Sequence, residues 1–237
     1  MKAAAVLALV LLAPRPAGAA CSGTALRFDG VWPPSGSVPA NLQVVVSYCG
    51  ATAFAEDVRA IKDVMVRPLG GAAVAASVRE LAGGDALTHA VLVVPAAELP
   101  VGADVEVVAR LAAQPVATYR VVAADHVAPV LGGSVVVRRG DAGVALELPA
   151  VSEDVRWTVS SAGAPVAELA SAPPGDLACG AALEVRAVDR AGNSSDVHTV
   201  VVDCGGSSVG CEVGGGGSGG PTVLLVGVLL VMVQRRT

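Results

Sequence analysis

The sequence predicts an all-β chain of two consecutive β-sandwiches, with an export signal before them and a hydrophobic anchor helix after. Three observations carry this expectation. Short runs rich in Val recur between residues 42 and 202 at near-regular spacing, and several alternate apolar with polar side chains, the period of a half-buried strand. Gly, Pro, Asn and Asp lie between the runs, where strands must turn. Both termini carry apolar segments of the kind found on exported chains, so the body between them is read as exported material.

From the N-terminus, residues 1–20 read as a secretory signal peptide. Lys2 is the positive start, Ala3 to Ala13 the apolar core, and Pro14 and Pro16 the break. Ala17, Gly18, Ala19 and Ala20 are the small residues of a cleavage site, with Ala19 and Ala20 at the cut. The apolar core falls below the ~20 residues that a spanning helix needs. Cys21 follows directly, which also fits part of a lipoprotein signal, although such signals usually place Leu where Gly18 stands. Lipidation of Cys21 therefore competes with its use in a disulfide.

The first body segment, residues 21–124, carries strand-like runs at 42–48, 64–67, 90–94, 104–110 and 117–122. Residues 55–61 are the exception and can form a helical turn or two. The second, residues 127–204, carries runs at 134–138, 144–148, 154–159, 183–188 and 197–202. The boundary falls at residues 123–129, where Pro129 cannot continue a central ladder. The two segments are of about 100 and about 75 residues, sizes that suit single sandwiches. Residues 205–221 turn to Gly and Ser, which cannot bury a core and form a flexible stalk. Residues 222–237 are an apolar run closed by Arg235 and Arg236. The net charge of −5 is spread without blocks, and the absence of a Lys/Arg cluster argues against a nucleic-acid partner.

Three stretches resemble known families. Pro33, Pro34 and Gly36, the step Val38-Pro39-Ala40-Asn41 and the alternating strand after it are similar to the opening of bacterial Ig-like domains of the S-layer-protein type. The closing pattern of that family is matched at residues 94–107, so the resemblance covers most of residues 25–123. It implies that the first segment is an Ig-like sandwich, and the next resemblance implies the same of the second. The heptapeptide Ala187-Val188-Asp189-Arg190-Ala191-Gly192-Asn193 resembles the hairpin of bacterial Ig-like and fibronectin-type modules. There Gly192 and Asn193 can take the positive φ of a tight turn. Asn193-Ser194-Ser195 also matches a glycosylation sequon, which in a bacterial chain is read as coincidence.

The third resemblance is the tail. Gly210-Cys211, the glycine spacer, the apolar run and the arginines are similar to the C-terminal sorting signal of myxobacterial surface proteins. That family implies a sorting protease that processes the tail and leaves the Cys211 region on the envelope. The chain departs from the pattern in having two arginines, set between Gln234 and Thr237. The alternative is a plain membrane anchor. As a helix, residues 222–233 would reach ~18 Å, short of the ~30 Å hydrocarbon core, and this favours processing.

Five cysteines leave one unpaired in an oxidising compartment. Cys211 has its own role in the tail, so Cys21 with Cys49 and Cys179 with Cys204 are the expected bridges. If the hairpin turns about Ala191-Gly192, opposed residue numbers sum to 383, and Cys179 and Cys204 satisfy this sum. Opposed non-hydrogen-bonded residues lie ~4.5 Å apart at Cα, within disulfide range.

No constellation of chemistry rises above chance. His89, His126 and His198 are far apart in sequence; His89 and His198 are expected at exposed or edge positions and His126 in the linker. Gly-x-Ser-x-Gly patterns around Ser208 and Ser218 lie in the stalk and lack the strand-to-helix turn of a nucleophile elbow. Asp189 and Asn193 supply too few oxygens for calcium and are expected to stabilise the turn. Trp157 is expected in a core, and Trp32 in packing rather than in an exposed binding face. No catalytic, cofactor or metal residues are assigned. The expected function is a non-catalytic, membrane-anchored module of the outer envelope, acting as spacer, adhesin or display element toward surface proteins or polysaccharide. The alternative is a secreted inhibitor or binding protein acting through first-domain loops such as residues 49–62.

Overall fold

In the first segment the chain runs β1 (Arg27–Trp32), β2 (Gly36–Pro39), β3 (Val44–Cys49), α1 (Ala55–Lys62), β4 (Val64–Pro68), β5 (Ala76–Glu80), β6 (Thr88–Pro95), β7 (Asp104–Ala109) and β8 (Ala117–Val122). These elements are seen in a computed structural model that describes residues 21, 25–83, 87–140, 143–151, 153–169 and 180–202. The expected signal peptide, stalk and anchor tail, with Ala19, Ala20, Cys179, Cys204, Cys211, Ser208 and Ser218, lie outside the described residues.

The strands form two four-stranded sheets, ordered β1-β3-β6-β5 and β2-β8-β7-β4. All pairs are antiparallel except β2 with β8. Inward side chains of both sheets fill one core, including Val44, Val46 and Tyr48 of β3, Val91 and Val93 of β6, and Tyr119 and Val121 of β8. Each such burial stabilises by roughly 1.5–3 kcal/mol. β8 alternates strictly, with Ala117, Tyr119 and Val121 buried and Thr118, Arg120 and Val122 exposed. β3 and β6 do not alternate, because their sheet is covered on both faces. Trp32, Val45, Leu81, Ala90 and Leu92 form a separate buried cluster on the outer face.

Residues 55–62 form the helix and not a strand. Glu56 and Asp57 open it and Arg59 and Lys62 close it, charges that complement the helix dipole. The Asp57 carboxylate accepts the Phe54 N–H at 3.0 Å. Ala60 and Ile61 face inward, and Ile61 joins the core. The expectation of an exposed or edge position for His89 fails. β6 is an interior strand, and its inward parity sets His89 opposite Tyr48 with a side chain 12% exposed.

The second segment holds β9 (Val136–Gly140), β10 (Gly143–Glu147), β11 (Val155–Ser161), β12 (Ala164–Leu169), β13 (Ala182–Asp189) and β14 (His198–Val201). β9 and β10 make a hairpin, and the rest a sheet ordered β12-β11-β13-β14. Val135 and Leu146 from the hairpin segment meet Trp157, Val159, Leu183 and Val185 in a second core. His198 lies on the edge strand, and Trp32 and Trp157 are both buried. β13 and β14 pair as Ala182↔Val201, Leu183↔Val200, Glu184↔Thr199 and Val185↔His198, and each pair of numbers sums to 383. Nearer the turn Val188 opposes Ser194, a sum of 382, so the returning strand carries one extra residue, as in a bulge. Both sandwiches fall within one compact unit. No helix among the described residues is long and apolar enough to cross a membrane.

Candidate functional site

Polar side chains from both sandwiches converge where the two meet. Its first component is the hairpin tip. Asp189 ends β13 fully buried, and its Oδ1 accepts the N–H groups of Ala191 at 2.8 Å and Asn193 at 2.9 Å. Its Oδ2 accepts Asn193 Nδ2 at 2.8 Å. These bonds stabilise the turn and set the tip against the first sandwich. Gln43 N–H donates to the Arg190 carbonyl at 2.7 Å, and Arg190 Nη1 donates to the Ser37 carbonyl at 3.1 Å. Gly192 has φ +90°, and a Cβ there would land on the Gln43 amide nitrogen. The resemblance of residues 187–193 to a hairpin concerned the turn alone; its apposition to Gln43 is a tertiary fact.

The second component is an amide clamp on the linker. Asn41 Nδ2 donates to the Asp125 carbonyl at 2.6 Å, and Asp125 N–H donates to Asn41 Oδ1 at 3.0 Å. Asn193 Nδ2 reaches the same Asp125 carbonyl at 3.1 Å and the Val127 carbonyl at 3.3 Å. One asparagine from each sandwich thus grips the connecting strand of chain. An Asn193 amide so occupied is poorly placed to serve as a glycosylation acceptor.

The third component is ionic. Arg79 of β5 donates from Nη1 and Nη2 to the two Glu168 oxygens of β12, both at 2.7 Å, a bidentate pair. Arg156 of β11 lies 3.9 Å from the same carboxylate and donates from Nη2 to Gln43 Oε1 at 3.1 Å. Hydrogen bonds from Arg79 hold the Glu168 carboxyl below the usual carboxylate range against the opposing effect of burial. Burial pulls the Arg156 guanidinium down, and Glu168 opposes this. Arg156 is 5% exposed, and its Nε and Nη1 have no hydrogen-bond partner. The backbone follows the ion pair, with Glu168 N–H donating to the Ala82 carbonyl at 3.0 Å. Gly83, at φ +93°, brings its loop so close that a Cβ would stand 2.8 Å from Ala167 Cα.

Asp125, Glu153 and Asp189 bring three carboxylate oxygens within 4.8 Å of one another, and they are the residues here that could hold a metal ion. Three oxygens supply half or fewer of the 6–8 ligands calcium takes. Burial raises the Glu153 carboxyl above its ordinary value, and Asp189 and then Asp125 raise it further. Asn41, Leu42, Gln43, Pro95, Glu98 and Ala191 line a crevice of about 380 Å³ beside the joint.

Of the cysteines, Cys21 and Cys49 are joined by a disulfide with Cα atoms 5.5 Å apart. The bond occupies the sulfur that lipidation would use. His89, His126 and His198 are not brought together in any metal-ligating group among the described residues. The charged members of the joint carry no signal in the sequence. Arg156 and Arg79 occupy outward strand positions, where a charged residue ordinarily meets solvent. Only the burial of Arg156 beside Trp157 distinguishes it.

No family model and no curated protein matches the chain. Among solved structures it is similar to the tandem Ig repeats of Dlar, at 12% identity and a TM-score of 0.29, covering 76% of this chain and 99% of that one. It is similar also to the Ig1-2 module of the Drosophila receptor protein tyrosine phosphatase DLAR, at 13% identity and 0.29, covering 73% and 97%. A third likeness is to the N-terminal part of the bacterial S-layer protein SbsC, at 11% identity and 0.26, covering 75% and 44%. The all-β description stands on the sheets and cores of this chain itself.

Proposed function

We propose that the chain is a non-catalytic module of the cell envelope, exported by its N-terminal segment and held at the surface by its tail. Its two Ig-like sandwiches serve as a spacer that presents a partner-binding surface away from the membrane. The observation that carries this reading is the joint. Two sandwiches tied by a clamped linker, a seated hairpin tip and a bidentate ion pair transmit position along the chain, which is what a spacer requires. The Cys21–Cys49 disulfide supports export, because such bonds persist in oxidising compartments. The Cys211 region and residues 222–237 are the proposed anchor, processed by a sorting protease, and surface proteins or polysaccharide are the proposed partners.

The test is protease treatment of intact cells producing the full chain, followed by detection of both sandwiches in envelope and soluble fractions. The reading predicts an envelope-bound chain that external protease removes. A chain confined to the cytoplasm and protected from protease would overturn it. Intact mass without reduction then tests the tail: an end near Cys211 with an added lipid-sized increment supports processing, and retention of Thr237 refutes it.

A second reading, a binding protein or inhibitor acting through residues 49–62, is favoured by Phe54. This aromatic precedes α1 and is 73% exposed, with Val58 one turn on at 37%. Replacing Phe54 with Ala would then abolish capture of the partner without changing the fold.

A further inference from the structure

The joint has two chemically different sides. On one, Asn41, Asp125 and Asn193 are bound by neutral amide hydrogen bonds, and Gln43 N–H is bound to the Arg190 carbonyl. On the other, the ion pair across the joint is Arg79–Glu168, backed by the Glu168 N–H bond to the Ala82 carbonyl and the Ala82 N–H bond to Glu168 Oε2, while Arg156 Nη2 donates to Gln43 Oε1 and so joins the two sides. Glu168 is held from both directions, by Arg79 of the first sandwich and by Arg156 of its own. This has an energetic consequence. Breaking a buried ion pair is costly when it strands a charge in a dry interior. Here separation strands none. Glu168 keeps Arg156, the half-exposed Arg79 passes to water, and the unpartnered Nε and Nη1 of Arg156 gain water. Hydration of Arg156 offsets part of what the lost pair contributed.

We infer that the joint is a latched hinge: the Arg79–Glu168 pair is a reversible latch, and the Asn41–Asp125–Asn193 clamp is the pivot that stays closed when the latch opens. Opening parts β12 from the loop at Ala82 and Gly83 and bares the outer edge of β12, whose Glu168 N–H now points at Ala82. The envelope module thereby has a fixed form and a bent form without either sandwich unfolding. The inference deepens the spacer reading and draws its purpose from it. Its geometry can be tested on purified protein wherever the chain resides, so failure here and failure of the surface assignment are read in separate experiments.

The experiment is amide hydrogen exchange on the full chain, because three amides report the two sides separately: Glu168 for the latch, and Gln43 and Asp125 for the pivot. Arg79→Gln is expected to speed Glu168 exchange by ~10-fold or more. Gln43 and Asp125, and the amides of β11 and β13, should keep wild-type rates. Gly83→Ala wedges the same side by a Cβ placed against Ala167 and leaves every charge intact. It should shift the same single amide, and it decides the matter if Arg79→Gln disturbs the second sandwich as a whole. A Glu168 amide that exchanges at the wild-type rate in both variants overturns the hinge. So does acceleration of Glu168, Gln43 and Asp125 by a common factor, which would mean that the joint opens as one piece.

Discussion

Tyr119 and Tyr48 are both buried in the first core, yet their hydroxyls stand in opposite situations. Tyr119 donates to the Pro33 carbonyl at 2.7 Å, and burial raises its phenol well above the ordinary value. Tyr48 has no hydrogen-bond partner for its hydroxyl, and burial, with the Asp63 charge adding, pushes the group up to about 12. The same substitution should therefore act oppositely at the two sites. Tyr119→Phe leaves a buried carbonyl unpaired and should lower stability by about 1–2 kcal/mol. Tyr48→Phe removes an unsatisfied group and should be neutral or stabilising. Midpoints of denaturant unfolding compare the two directly. Equal losses would refute the distinction. At the hairpin tip, Asp189→Ala removes three hydrogen bonds at once. It should cost about 2 kcal/mol or more, since the Ala191 and Asn193 donors are left without their acceptor.

At the scale of elements, the β13–β14 pair is the most informative. A register read from a presumed turn is reproduced from Ala182↔Val201 to Val185↔His198, although a bulge near the tip takes up one residue. Carried three residues beyond Ala182 and Val201, the same sum of 383 reaches Cys179 and Cys204. Peptide mapping without reduction is expected to recover that pair alongside Cys21–Cys49. Such a bridge would close a loop of 26 residues and contribute ~3 kcal/mol, so replacing both cysteines with Ser is expected to lower the melting temperature. Recovery of Cys179 or Cys204 linked to Cys211 would refute the assignment.

For the whole molecule, acid should act on the joint in two opposing steps. Glu153 has a folded pKa above its unfolded value. Its contribution is favourable below the unfolded pKa and is lost as pH rises through the folded one. Glu168 is depressed, so its contribution is present above the unfolded pKa and is lost as pH falls through the folded one. Lowering the pH from neutral should first relieve the burial of the Glu153 charge and its repulsion from Asp189 and Asp125, and raise stability slightly. Below the ordinary carboxylate range it should remove the contribution of Glu168. Unfolding followed across pH tests this: Glu153→Gln should abolish the first rise, and Glu168→Gln should flatten the acidic fall. A monotonic curve unchanged by either variant would contradict both assignments.

How much of this was legible in the chain differs from residue to residue. The alternation of β8, the acidic-then-basic order of residues 55–62 and the 383 register are local, because period, helix dipole and turn geometry act over a few residues. The strands β1, β2, β5 and β12 leave no such local signal. Gly30 interrupts β1, Gly36 opens β2, and β5 and β12 draw their stability from neighbours. The sequence misplaces His89 because nothing in its own segment says that β6 is interior. The joint was the least legible part. Asn41, Arg79, Arg156 and Glu168 look like solvated polar residues in sequence, and they become a site when the second sandwich settles on the first. By itself the sequence determined the periods, the turns and the register, which rest on backbone geometry. The tertiary structure alone decided which charged residues lose their water and which partners then hold them, since desolvation depends on what lies across the gap and not on what lies next in the chain.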